Sequence, residues 1–174
     1  MTLWTGPLLP LMALVWPLLL AALTALPVLR GRAVRLLPLA PLPALWLAVT
    51  GVEEVTAAPG LLLGVTLGLD GARRLLLGMT AALWLIAGLA AQPMARKPHM
   101  AIFSGFWSVT LSGNLGVFLA LDVVTFYVAF AAVSLAAWFL IVHDRTGTAL
   151  RAGRVYIVIA IAGEVFLLLG LLIG

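Results

Sequence analysis

The sequence predicts an all-α integral membrane protein with about six transmembrane helices, and three observations carry that prediction. The first is composition: 64% of the 174 residues are hydrophobic and 9% are charged, whereas about 25% of the residues in a soluble domain are charged. The second is arrangement, because the charged residues stand in short groups between long apolar runs. The third is asymmetry, because most basic residues fall in alternate groups along the chain.

The apolar runs predict one membrane domain, 1–174, and a span needs about 20 residues. The predicted spans are 6–28, 36–51, 75–91, 101–120, 123–142 and 155–173. The second is short and is interrupted by Pro38, Pro41 and Pro43. Residues 52–74 are predicted to form an extracytoplasmic hairpin or loop, with glycine at 60, 64, 68 and 71. A re-entrant piece or a close helix contact through small residues is the alternative for this segment.

The distribution of basic residues predicts the orientation. If the loops alternate sides, one side holds Arg30, Arg32, Arg35, Arg96, Lys97, Arg145, Arg151 and Arg154. The other side holds Glu53, Glu54, Asp70 and Asp122, opposed only by Arg73 and Arg74. Because loops rich in lysine and arginine stay in the cytoplasm, both termini are predicted to be extracytoplasmic, in a multi-pass protein of the cell inner membrane. The net charge of +4 then reflects membrane orientation, and no nucleic-acid partner is expected.

Several kinds of chemistry find no support in the residue inventory. The chain has no cysteine, which excludes disulfides, thiolate metal sites and cysteine nucleophiles. His99 and His143 are too far apart in sequence to suggest a metal site. No phosphate-binding glycine loop or catalytic constellation is recognisable, so we expect no cofactor, no metal and no catalytic residue. The lipid bilayer and other integral membrane proteins are the expected partners.

Glu164 is the residue that most clearly points to function. It has nine residues on either side within the last predicted span, so it lies roughly 14 Å from each end, near the bilayer midplane. An acid at that depth costs roughly 2.5–3.5 kcal/mol on insertion scales and is normally turned toward protein or water. A low-dielectric environment favours the neutral carboxyl group. Glu164 is therefore a candidate for proton transfer, and the alternative is a permanently protonated hydrogen-bond donor between helices.

A stripe of mostly small residues predicts which side of this last span faces protein, because small side chains let another helix approach closely. Its members are Tyr156, Ala160, Gly163, Leu167, Gly170 and Gly174. Gly163 is adjacent to the acid. The stripe therefore predicts that Glu164 is turned toward a neighbouring helix.

Four other polar residues have candidate roles. Asn114, Ser112 and Ser134 could form a polar lining that holds water beside Glu164. The alternative for them is interhelical hydrogen bonding, worth about 0.6–2 kcal/mol in membranes. Asp122 stands immediately before a predicted span, where an aspartate typically caps a helix.

The middle and end of the chain resemble a known family. The motifs are "LGLDG" at 67–71, "GVFLALD" at 116–122, "TFYVAFAAVSL" at 125–135 and "AGRVYIVIAIAG" at 152–163. Together they make residues 60–174 similar to the N-terminal part of the antiporter-like membrane subunits of respiratory complex I and Mrp-type cation/proton antiporters. The resemblance implies a membrane subunit of a multisubunit proton or cation/proton translocating complex. Family members continue through further helices that carry essential lysines. The resemblance therefore implies either a partner chain that supplies the missing helices, or a reduced relative that serves as a structural subunit, or a fragment of a longer chain.

One departure from the family pattern concerns the proton path. The family has a glutamate that is central to proton transfer in its fifth helix, and Ala131 occupies that position here. Alanine cannot carry a proton. We hypothesise that the acid has reappeared at similar depth on the next helix, as Glu164. The alternative is a non-conducting structural or assembly subunit.

Overall fold

The computed structural model describes residues 8–28, 32–51, 55–58, 64–97 and 99–173. The helices are α1 (Leu9–Ala25), α2 (Ala33–Leu36), α3 (Leu42–Thr50), α4 (Gly71–Ala90), α5 (Met100–Leu119), α6 (Val123–Val142) and α7 (Gly147–Ile173). Two strands, β1 (Val55–Ala58) and β2 (Val65–Gly68), form an antiparallel hairpin. Among the described residues, five helical segments are long and apolar enough to cross a membrane, and α1 is a shorter apolar helix. The predicted all-α membrane fold is confirmed.

α4 and α7 begin four and eight residues before their predicted spans, because charged residues do not end a helix when its first turn is capped. α4 begins at Gly71 instead of 75, where the Asp70 carboxylate accepts a 2.8 Å hydrogen bond from the Arg73 N–H. α7 begins at Gly147 instead of 155, where the Thr146 hydroxyl accepts from the Ala149 N–H at 3.2 Å. The first turns of α7 carry Arg151 and so extend beyond the apolar part of the helix.

The second predicted span is one irregular crossing, made of α2, a 3-10 turn at Leu37–Leu39, and α3. Its prolines lack an N–H and cannot continue a regular helix. Irregular backbone is tolerated at membrane depth where protein buries it, and Leu37 and Leu47 are almost fully buried. The Gln92 side chain donates 2.8 Å hydrogen bonds to the carbonyls of Val34 and Gly88, which ties this crossing to the end of α4.

α5 is the centre of the bundle and packs between α1 and α6. Leu111, Leu115 and Leu119 are completely buried on it. Gly113 and Gly116 let α6 approach closely: a Cβ at Gly113 would lie 2.9 Å from the Ala129 carbonyl oxygen, and one at Gly116 would lie 2.9 Å from the Ala129 Cβ. The side of α6 that carries Ala129 therefore faces α5.

The β-hairpin is joined to the turn between α5 and α6. The Leu121 N–H donates to the Thr66 carbonyl at 2.9 Å, and the Thr66 N–H donates to Asp122 Oδ2 at 2.9 Å. Asp122 also caps α6, accepting from the Thr125 N–H at 2.7 Å and from the Thr125 hydroxyl at 2.6 Å. The Asp122 carboxylate thus caps α6 and also binds the hairpin to the start of that helix. Residues 55–58 and 65–68 are extended strands.

The hydrogen bonds that Asp122 accepts lower its pKa. Partial burial acts to raise the pKa, but the hydrogen bonds from the Thr125 hydroxyl, the Thr125 N–H and the Thr66 N–H outweigh it, so the pKa lies below its ordinary value of 3.8. A carboxyl group whose pKa is lowered by folding stabilises the fold fully above its unfolded-state pKa. That contribution is lost as the pH falls through the lower folded-state pKa.

The variant Asp122→Asn is expected to release the hairpin while keeping the cap, because asparagine caps helices as well as aspartate does. Its amide nitrogen would face the Thr66 N–H, donor against donor, and we expect a loss of about 1 kcal/mol at neutral pH. Thermal unfolding in detergent measures the effect. The difference in unfolding temperature between wild type and variant should become smaller as the pH falls below 3.8. A gap that is the same at every pH would contradict this role for the carboxylate.

Candidate functional site at the contact of α6 and α7

A close contact near the loop sets the register between α6 and α7. Gly153 is the buried residue of α7. A Cβ there would collide with Val142 and would lie 3.2 Å from Trp138 Nε1, both on α6. The two helices are joined by the short segment 143–146 and pack together, so they run antiparallel. We call the surface along which they meet the seam, defined by Gly153, Trp138, Ala131, Ser134 and Glu164.

The side of α7 that faces α6 is marked by partial burial at three- and four-residue spacing. Its members are Ala149, Gly153, Tyr156, Ala160, Glu164, Leu167 and Leu171. Glu164 follows Gly153 by eleven residues, which is about three turns, so both lie on the same side of the helix. The carboxyl group therefore projects from the side of α7 that packs on α6.

Only part of the predicted stripe on this helix faces α6. Tyr156, Ala160 and Leu167 belong to the α6-facing side, but Gly163 and Gly170 are exposed. A Cβ at either glycine would have no neighbour within 4 Å. The reason is helical phase: Gly163 follows Gly153 by ten residues and lies about 80° away around the axis. Gly174 lies outside the described residues.

Ala131 lies near the level of Glu164. It precedes Trp138 by seven residues, about two turns, and so shares the α7-facing side of α6. Gly153 is level with Trp138 and Val142 of α6, and Glu164 is eleven residues further along α7. Because the helices are antiparallel, the α6 residues level with Glu164 are eleven residues before Trp138 and Val142, which gives 127–131. Glu164 therefore lies level with residues 127–131, and Ala131 is in that stretch on the facing side of α6.

Two polar atoms of the seam lack hydrogen bonds. Glu164 Oε1 and Trp138 Nε1 are buried and have no partner among the described residues. Ser134 is buried on the same side of α6, and its hydroxyl donates to its own helix, at the Phe130 carbonyl, over 3.3 Å. Buried polar atoms are almost always satisfied in stable folds. An unpaired carboxyl oxygen in an apolar seam is thus a group that can accept a proton, a water molecule or a further donor.

The other predicted lining residues are placed elsewhere. The Ser112 hydroxyl donates to the Leu14 carbonyl of α1 at 2.8 Å, an interhelical hydrogen bond on the far side of α5. Asn114 is partly exposed on α5. Because α6 packs against both α5 and α7, these two residues are not brought beside Glu164. Of the predicted lining, Ser134 alone shares the seam.

The charged residues away from the seam make local contacts. Arg73 forms an ion pair with Asp70 at 3.4 Å. His143 contacts the Leu140 carbonyl through Nδ1 and the Asp144 carboxylate through Nε2. Within the described part of the chain, no three acidic or histidine side chains lie close enough together to hold a metal ion.

Sequence reasoning missed two parts of this architecture. The first is that Thr66 and Thr125 both donate hydrogen bonds to Asp122. Thr125 could have been identified from the sequence, because it stands three residues after Asp122 at the start of a helix, a spacing typical of capping. The other is Gly153, which sets the seam. No protein-family model matches the chain, and no curated protein matches it.

Proposed function

We propose that the protein is a membrane subunit of a multisubunit proton or cation/proton translocating complex, in which Glu164 takes up and releases protons. The observation that carries the proposal is the buried, unpaired Glu164 Oε1 on the α6-facing side of α7, level with Ala131. The family resemblance supports it independently, because Ala131 stands where those subunits have their proton-carrying glutamate. The seam supplies an acid at that depth from the opposite helix.

The seam offers Glu164 an unused hydrogen-bonding position. Its Oε1 is buried against α6 without a partner among the described residues, so it is available to a proton or a water molecule that reaches the seam. Ionisable groups inside membrane bundles commonly form proton relays of this kind. The side chains of Ser134 and Trp138 lie on the same surface and are the first candidates to contact such water.

A partner chain is part of the proposal, because Glu164 is the one carboxyl group in the described helices that lies away from their ends. A relay needs a second group with which to exchange its proton. α7 packs mainly on α6, and most of its surface is uncovered. We therefore propose that helices of another integral membrane subunit, as the resemblance implies, cover α7 and supply the exchanging group.

The proposed setting is the cell inner membrane with both termini extracytoplasmic. The end of the bundle that carries Lys97, His99 and Arg145 would face the cytoplasm, in keeping with the positive-inside rule. The β-hairpin and Asp122 would then lie on the extracytoplasmic side. In this orientation α7 crosses the membrane and Glu164 lies near the midplane.

The second candidate function is a non-conducting structural subunit of such a complex. The hydrogen bond from Ser112 to α1 favours it, because polar residues of α5 that could line a water path serve helix packing instead. In that case Glu164 would stay protonated and donate one hydrogen bond to a neighbouring subunit.

The variant Glu164→Gln distinguishes these functions, because glutamine keeps the size and the hydrogen-bonding capacity but cannot ionise. In membrane vesicles that contain the whole complex, we expect it to abolish coupled proton flux while the complex stays assembled. Gly71→Ala is the control, because a Cβ at Gly71, at the start of α4 and away from α7, would contact nothing within 4 Å. Unchanged flux in Glu164→Gln would contradict proton transfer. Loss of the assembled complex would favour the structural function.

A further inference from the structure

A lateral groove lies at the basic end of the bundle, away from the seam. It is bounded by the last turns of α1, the first half of α5 and the segment that connects α4 to α5, and it has a volume of about 810 Å³. That volume is within the range of about 300–1,000 Å³ typical of small-ligand sites. Its lining includes Ala21, Lys97, His99, Gly105 and Val109.

The groove is charged at one end and apolar along its length. Lys97 and His99 are exposed at its mouth, where α5 begins. From Met100 to Val109 the lining follows α5 for nine residues, roughly 14 Å toward the middle of the membrane. Thr24, the other polar residue at the wall, donates its hydroxyl to the Ala21 carbonyl at 2.7 Å and so presents little free polarity.

Gly105 forms the part of the wall where α5 approaches α1 closely. A Cβ at this position would lie 3.2 Å from the Thr24 hydroxyl oxygen, so a larger residue would not fit without displacing Thr24. Ala21, Ala25 and Ala101 also present only methyl groups to the groove. The space is therefore shaped for a narrow, flexible apolar chain.

We propose that this groove binds an anionic phospholipid, with its phosphate at Lys97 and His99 and one acyl chain along α5. Charge complementarity selects this occupant: basic pockets between transmembrane helices on the cytoplasmic side recognise anionic headgroups. Arg96 adds a further positive charge beside the mouth. A free phosphate would leave the apolar length of the groove uncovered, whereas a lipid matches both the charged and the apolar part.

The test is native mass spectrometry of the purified full-length protein with phosphatidylglycerol or phosphatidylcholine of identical acyl chains. We expect the wild type to prefer phosphatidylglycerol. The double variant Lys97→Gln, His99→Gln is expected to weaken phosphatidylglycerol binding at least about fivefold, the effect of one lysine near the membrane surface. Its binding of phosphatidylcholine should be nearly unchanged.

Three further arms make the test decisive. Arg154→Gln removes an exposed charge outside the groove and should bind as the wild type does. Val109→Trp fills the apolar end and should weaken both lipids; thermal unfolding in detergent establishes that each variant is folded. Glycerol phosphate should not compete. Equal binding of both lipids by the wild type, an equal loss in Arg154→Gln, or competition by glycerol phosphate would overturn the proposal.

Discussion

Moving the acid from α7 to α6, in the double variant Ala131→Glu with Glu164→Ala, is expected to retain proton flux that Glu164→Ala alone abolishes. The two positions lie at the same depth on facing sides of antiparallel helices, so the carboxyl group would occupy the same seam. The exchange also conserves the summed side-chain volume, and volume-conserving changes are the ones that packed interiors tolerate best. Proton flux in vesicles that contain the complete complex is the measurement.

The control for this exchange is Ala132→Glu combined with Glu164→Ala. Ala132 is at nearly the same depth, but it lies about 100° further around α6, outside the seam. This variant should remain inactive. Equal recovery from positions 131 and 132 would mean that depth alone matters, and no recovery from position 131 would mean that Glu164 acts through a contact specific to α7.

Replacing Gly113 by valine is expected to separate α5 from α6 and to cause the largest loss of stability of any single change considered. Its Cβ would lie 2.7 Å from Val133 Cγ2 and 2.9 Å from the Ala129 carbonyl oxygen. The second contact is with backbone and cannot be relieved by a rotamer change. Overpacking of this kind typically costs about 1–3 kcal/mol, and valine adds two further methyl groups. Thermal unfolding and the monodisperse fraction in detergent measure the effect.

Gly170→Ala is the matched control, because a Cβ at Gly170 meets nothing within 4 Å and alanine favours helix. It should be neutral or slightly stabilising. If Gly113→Val unfolded at the same temperature as this control, the close contact between α5 and α6 would not be a determinant of the fold. Ala129 and Ala131 lie on opposite sides of α6, so α6 packs on α5 with one side and on α7 with the other.

The helices of the second half of the chain were largely predictable. α6 begins and ends where the sequence predicted, at 123 and 142, because Asp122 caps one end and His143 with Asp144 closes the other. α5 differs by one residue at each end. A capping side chain and the edge of an apolar run are local signals. They depend only on neighbouring residues in the sequence, so they can be recognised without knowledge of the fold.

The orientation of α7 was less predictable, and the reason is physical. The predicted span began at 155 because Arg151 and Arg154 interrupt the apolar run, so Gly153 was excluded from it. Yet Gly153 makes the close contact that sets which side of α7 faces α6. Gly163 was taken as a contact residue in its place, although it lies on the exposed side. Small residues permit a close contact, but the sequence alone does not indicate which of them makes it.

Pairings between distant parts of the chain were the hardest to predict. Thr66 and Asp122 are separated by 56 residues, and their hydrogen bond forms only because β2 lies beside the turn between α5 and α6. The Ser112 hydroxyl donates its hydrogen bond to the Leu14 carbonyl, which is 98 residues earlier in the chain. The depth of Glu164, in contrast, followed from counting residues along one helix.

The central claim, that Glu164 changes its protonation state during transport, is tested most directly by infrared difference spectroscopy of the carboxyl C=O stretch in the assembled complex. We predict a band that gains and loses intensity as a proton gradient is applied and reversed, and that is absent from Glu164→Gln. Identical difference spectra for wild type and variant would contradict the claim, since the carboxyl group would then keep one protonation state throughout.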